Sequence, residues 1–105
     1  MKYNFKKIIK GHHKKSEGVY INKAVVVITP LILERLQTPK LVEVGIDIQN
    51  KAIKLIKVET GGWSIAKVRD GRNYFFSAKV IQEKLPQGYY KQDPENKNVF
   101  VKQDL

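Results

Sequence analysis

Residues 24–58 read AVVVITPLILERLQTPKLVEVGIDIQNKAIKLIKV, and the order of signals in this stretch decides the fold class. Ala24 to Ile28 is a β-branched run of the kind that fits a pleated strand. Thr29 followed by Pro30 is a helix start, with a side-chain cap and then a residue whose fixed φ suits the first helical position. Leu31, Ile32, Leu33, Arg35 and Leu36 fill about two turns, and Pro39 ends them. Val42, Val44, Ile46 and Ile48 then alternate with Glu43, Gly45 and Asp47, the period-two signature of a half-buried strand. Gln49, Asn50 and Lys51 make a turn, and Ala52 to Val58 returns as the partner strand.

Upstream, Gly18 to Ile21 is a second short strand. Asn22 and Lys23 separate it from the run at Ala24, so the pair reads as a tight hairpin. The unit is therefore strand, turn, strand, helix, hairpin.

Downstream of Gly61-Gly62 the same order returns. Trp63 to Arg69 is a strand, Asp70-Gly71 is a strong hairpin dipeptide, and Asn73 to Phe76 is the return strand. Ser77 stands where a cap is needed for a helix holding Val80, Ile81 and Leu85, broken at Pro86. Gly88 to Lys91 and Val99 to Lys102 flank the turn 93–98. Asn22 and Asp70, Thr29 and Ser77, and Ile32 and Val80 are each 48 positions apart, while Asn50 and Asn96 are 46 apart. One such unit has too little apolar surface to stand alone, so two must share a core. The expectation is a mainly β protein with two short helices, in which a duplicated unit (repeat 1 about 18–58, repeat 2 about 62–103) forms a pseudo-two-fold β-barrel within a single domain over 17–105.

Residues 24–58 resemble the AbrB/MraZ-type swapped-hairpin unit, in which a strand ends in a Thr-Pro or Ile-Pro step, a short amphipathic helix follows, and a hairpin opens on a Val-Glu-Val pattern. Phe75 to Lys102 resembles it more weakly. The resemblance implies an interleaved barrel that binds DNA and catalyses nothing. Two departures stand out: Val25 and Val26 occupy the place of a common Gly-Arg pair, and the helix carries Glu34-Arg35 in place of two basic residues.

Charge points to a polyanion independently. Twenty Lys and Arg stand against ten Asp and Glu, for a formal net charge of +10 in 105 residues. Such a surplus attracts phosphates and makes binding depend on salt. Residues 1–16 hold Lys2, Lys6, Lys7, Lys10, Lys14 and Lys15 with no acid, and read as a basic arm. Within the folded part, Lys67, Arg69 and Arg72 cluster around the Asp70-Gly71 turn with Lys79 just after it, and Lys23 and Arg35 hold the corresponding places of the first repeat. The nucleic-acid contacts are expected from these residues and from Lys6, Lys7, Lys10, Lys14 and Lys15 of the arm. Tyr74 and Phe76 are candidates for stacking on unpaired bases.

Other chemistries find little support. Cysteine is absent, which excludes disulfides, thiolate metal sites and cysteine nucleophiles. His12 and His13 have no third ligand nearby, the acids are scattered singly, and no cofactor, metal or catalytic residue is expected. The longest apolar run is far short of the roughly 20 residues that cross a bilayer, and a cytoplasmic location follows as an expectation. The partner expected is DNA, as for a transcriptional regulator or accessory protein. Alternatives are RNA or a single strand, or an acidic protein surface, as for a small phage- or plasmid-type inhibitor of a host protein. Both a pseudo-two-fold monomer and a homodimer fit.

Overall fold

The computed structural model describes residues 17–69 and 71–103. The basic arm, with Lys6, Lys7, Lys10, Lys14 and Lys15, lies outside the described residues, as does Asp70. Among the described residues nine strands and two helices follow in the order β1 Gly18–Asn22, β2 Val25–Ile28, α1 Pro30–Arg35, β3 Leu41–Asp47, β4 Ala52–Val58, β5 Trp63–Ser64, β6 Ala66–Lys67, β7 Tyr74–Ser77, α2 Lys79–Lys84, β8 Gly88–Gln92 and β9 Val99–Lys102.

All pairings are antiparallel, and the sheet runs β5-β3-β4-β9-β8-β1-β2-β7-β6. Its two edges, β5 and β6, are separated in sequence by Ile65 alone. Trp63 pairs with Val42 of β3 on one side, and Ala66 pairs with Phe75 of β7 on the other. The amide of Ile65 donates to the Lys40 carbonyl at 2.9 Å. The stretch expected as one strand from Trp63 to Arg69 is thus two short ones that reach opposite edges, and together they nearly close the sheet into a barrel. Closure leaves few unpaired edge groups, which is how a small β protein avoids pairing with its neighbours.

The pairing pattern is symmetric. Exchange β1 with the β5–β6 stretch, β2 with β7, β3 with β8 and β4 with β9, and it is unchanged. β1 against β2 becomes β6 against β7, β1 against β8 becomes β5 against β3, and β3 against β4 becomes β8 against β9, while the pairs β2–β7 and β4–β9 map onto themselves. Each hairpin, β3–β4 or β8–β9, sits between strands of the other half. This is the pseudo-two-fold, exchanged-hairpin barrel expected from the two units.

The interior is apolar. Val19, Ile28, Val42, Leu55, Phe76, Tyr90 and Phe100 are buried from the strands, and Ile32, Leu33, Leu36, Ile81 and Leu85 join the same cluster from the helices. No polar or charged residue is buried among the described residues. A core of this kind is stabilised by roughly 25 cal/mol per Å² of apolar area removed from water. The buried positions also refine the repeat. Ile28 corresponds to Phe76 and Val42 to Tyr90, both 48 apart, but Ile32 corresponds to Ile81 and Leu36 to Leu85, 49 apart.

That extra residue lies between β7 and α2, and it corrects two expectations. In the first half Thr29 is the N-cap, its Oγ1 accepting from the Ile32 amide at 3.4 Å, with Pro30 opening the helix. In the second half Ser77 still pairs with Val25 in the ladder, and Ala78, which has no capping side chain, takes the N-cap place. Ser77 is therefore a strand residue. The helix is rotated accordingly, so that Ile81 faces the core and Val80 is 42% exposed.

Two further details differ from the expected hairpins. Ile48, read as the last inward residue of its strand, is in the turn and 56% exposed. Asp47 holds that turn, accepting from the Asn50 amide at 3.0 Å and from the Asn50 Nδ2 at 2.8 Å, and these donors lower its pKa. Helix α1 ends before Pro39: Gln37 and Thr38 have φ of 69° and 47°, and the Thr38 amide donates to the Leu33 carbonyl at 2.8 Å. Left-handed residues of this kind stop a helix without proline, and Pro39 follows as a buried residue.

Candidate nucleic-acid interface

Lys23 has φ of 56° in the β1–β2 turn. The Ala78 amide donates to the Ala24 carbonyl at 2.7 Å, which brings the start of α2, and with it Lys79, beside that turn. Lys23 and Lys79 thus occupy one end of the β2–β7 pair. At the other end, the Val68 amide donates to the Asn73 carbonyl at 2.8 Å and the Gly71 amide to the Val68 carbonyl at 3.2 Å. Between those paired residues project Arg69 and Arg72, both exposed.

Lys79 is consequently not part of the Arg69–Arg72 cluster. β7 lies extended between them, at about 3.3 Å per residue, so sequence nearness does not become nearness in space. What forms instead is a pair of basic ends, Lys23 with Lys79 and Arg69 with Arg72, related by the barrel's pseudo-two-fold and roughly 15–20 Å apart along the strands. Lys67, at the end of β6, is exposed and pairs with Tyr74.

Arg35 belongs elsewhere. Its guanidinium bonds Glu17 Oε1 at 3.2 Å through Nη2 and Gln92 Oε1 at 2.6 Å through Nη1. It lines a cleft of about 490 Å³ with Lys91, Asp93 and Lys97. Both ion-pair partners are well exposed, at 39% and 55%, so the bridge is worth at most about 1 kcal/mol. Its role is to hold the end of α1 against β8.

The aromatic candidates are corrected by strand parity. Phe76 is 1% exposed and Tyr74 packs against the core, so Phe76 cannot reach a base. The outward residue between them is Phe75. It pairs with Val27, Val27 with Tyr20, and Tyr20 with Tyr89, so that Tyr89, Tyr20, Val27 and Phe75 form one row across the outside of β8, β1, β2 and β7. Their neighbours along each strand, Val19, Ile21, Val26, Ile28, Phe76 and Tyr90, are buried. Tyr20 is 44% exposed and rests on Tyr89 with ring centroids 5.0 Å apart. The sequence signal for this row was weak: Tyr74, Phe75 and Phe76 are consecutive, and only their register against β2 tells which one faces out.

Acids are rare on the strands: among the described residues β1, β2, β4, β5, β6, β7, β8 and β9 contain no Asp or Glu. Glu43 and Asp47 lie on the outward positions of β3. The wall that carries the aromatic row and both basic ends is therefore free of acids along its strands.

Among the described residues no group of three His, Cys, Asp or Glu is placed to hold a metal ion, and no helix is long and apolar enough to cross a membrane. Comparisons with protein-family models, with characterised proteins and with solved structures find no match.

Proposed function

We propose that the protein is a nucleic-acid-binding protein acting without catalysis, and that duplex DNA is its main ligand. The observation that carries this reading is the placement of two basic ends about the pseudo-two-fold of an acid-free wall. A duplex has two-fold axes of its own, and a protein with matching symmetry can set one end against each strand, here with cations at both ends although the residues are not counterparts, since Lys23 corresponds to Gly71 and Arg72 to Ala24. Lys23 and Lys79 would hold phosphates at one end, and Arg69 and Arg72 at the other, with Lys67 near the second. Guanidinium groups suit phosphate because their planar fork can donate two hydrogen bonds to it. The surplus of ten positive charges and the likeness of residues 24–58 to swapped-hairpin DNA-binding units support the same reading, and regulation of transcription is the role it fits best.

The test is a mobility-shift comparison of duplex DNA, single-stranded DNA and RNA of one length at low and at physiological salt. Duplex binding that weakens steeply with salt is expected. Absence of any shift at low salt would sink the reading.

A further inference from the structure

From the outward row Tyr89, Tyr20, Val27 and Phe75 we infer that this wall also takes unpaired bases, so that a single-stranded segment can lie across β8, β1, β2 and β7. The inference rests on the nucleic-acid reading above but not on its preference for duplex. Tyr20 is exposed while Tyr89, Val27 and Phe75 are half-buried, so the row leaves part of its apolar surface in water, and a partner has to be chosen by its charge. Here the strands beneath the row carry Lys91 and no acid, with Lys23 and Lys79 beyond one end of the β2–β7 pair and Arg69 and Arg72 beyond the other. A ligand that is flat, apolar on its faces and anionic along its backbone fits that combination. Single-stranded nucleic acid fits it, since every base offers a π-face and every link a phosphate.

The spacing suits splayed bases. Tyr20 and Phe75 are two strands apart, roughly 10 Å at the usual interstrand distance, with Val27 as a low floor between them. Tyr89 backs Tyr20 at 5.0 Å and limits its freedom, so less motion is lost when a base settles on the exposed ring. Val27 and Phe75 also lie on the pseudo-two-fold, midway between the basic ends, so a strand crossing the row has cations on either side.

The experiment is fluorescence anisotropy of a labelled oligothymidylate and of a duplex of equal length, at low salt, with wild type, Tyr20→Leu, Phe75→Leu and the double variant Lys23→Ala/Arg72→Ala. Leucine keeps the wall apolar and removes only the ring, and melting temperatures check that each variant is folded. Each ring removed should weaken single-strand binding roughly tenfold and leave the duplex untouched, whereas the charge variant should weaken both. Wild-type single-strand affinity in the two leucine variants would overturn the inference and leave the duplex reading standing. Failure of the wild-type protein to bind either oligonucleotide would overturn both.

Discussion

Val27 lies directly opposite Phe75 in the ladder between β2 and β7, 48 positions further along the chain, at the point where the pseudo-two-fold passes through the outer wall. The pair joins the two halves and separates the two basic ends, so the symmetry of the fold and the layout of the candidate interface have one origin.

The helix caps should respond unequally to alanine. Thr29→Ala removes the oxygen that accepts from Ile32 and should cost about 1 kcal/mol. Ser77→Ala removes no cap and should change stability by a few tenths of a kcal/mol at most. Urea denaturation of both variants measures the difference.

The shifted phase of α2 makes a second contrast. Ile81 is fully buried while Val80 is 42% exposed. Ile81→Ala should cost about 2–5 kcal/mol through the cavity it leaves, and Val80→Ala less than about 1 kcal/mol. A larger loss at Val80 would restore the 48-residue spacing for the helix.

Closure of the barrel depends on Gly62, which has φ of 73° and whose Cβ, if present, would clash with the Val42 carbonyl oxygen. Gly61 has φ of 71° and open space around it. Gly61→Ala should cost about 1 kcal/mol from backbone strain alone, and Gly62→Ala clearly more, because β3 must also move away from β5. Thermal melts of the two variants rank them.

Tyr90 should give the fold a dependence on alkaline pH. Its ring is in the core, its hydroxyl donates to the Pro86 carbonyl at 2.6 Å, and burial pushes its pKa up from 10.0 to about 12. A group whose pKa is raised by folding favours the folded state fully below its unfolded value and loses that contribution as pH rises through the folded one. The stability difference between wild type and Tyr90→Phe should therefore be flat below pH 10 and shift against wild type between about pH 10 and pH 12, as followed by denaturant midpoints across that range.

Much of the fold is legible in the sequence because its signals are local and mutually consistent. Thr29-Pro30 and the alternation from Val42 to Ile46 each specify their own conformation, and each appears as read; the β1–β2 turn falls one residue later than Asn22-Lys23, on Lys23 and Ala24, because Asn22 pairs with Val25 as the last residue of β1. What stayed hidden depends on register between distant strands. Whether Ser77 caps a helix or continues a ladder is decided by Val25, and whether Phe75 or Phe76 faces out is decided by Val26 and Val27. The binding groups show the same divide. Lys67, Arg69, Arg72, Lys79 and Lys23 are visible as exposed basic residues near turns, but only the pairing of Ala78 with Ala24 reveals that Lys79 belongs with Lys23. Arg35 looked free in sequence and is engaged by Glu17 and Gln92.

The central claim, that the two basic ends grip one nucleic-acid ligand, is tested most directly by the salt dependence of duplex affinity in wild type and in the variant Arg69→Ala/Arg72→Ala. If the four residues Lys23, Lys79, Arg69 and Arg72 each neutralise a phosphate, those contacts alone should lower affinity about a hundredfold between 50 and 200 mM salt, and losing two of them should flatten the logarithmic slope by about 2. An unchanged slope in the double variant, with the fold intact, would contradict the account.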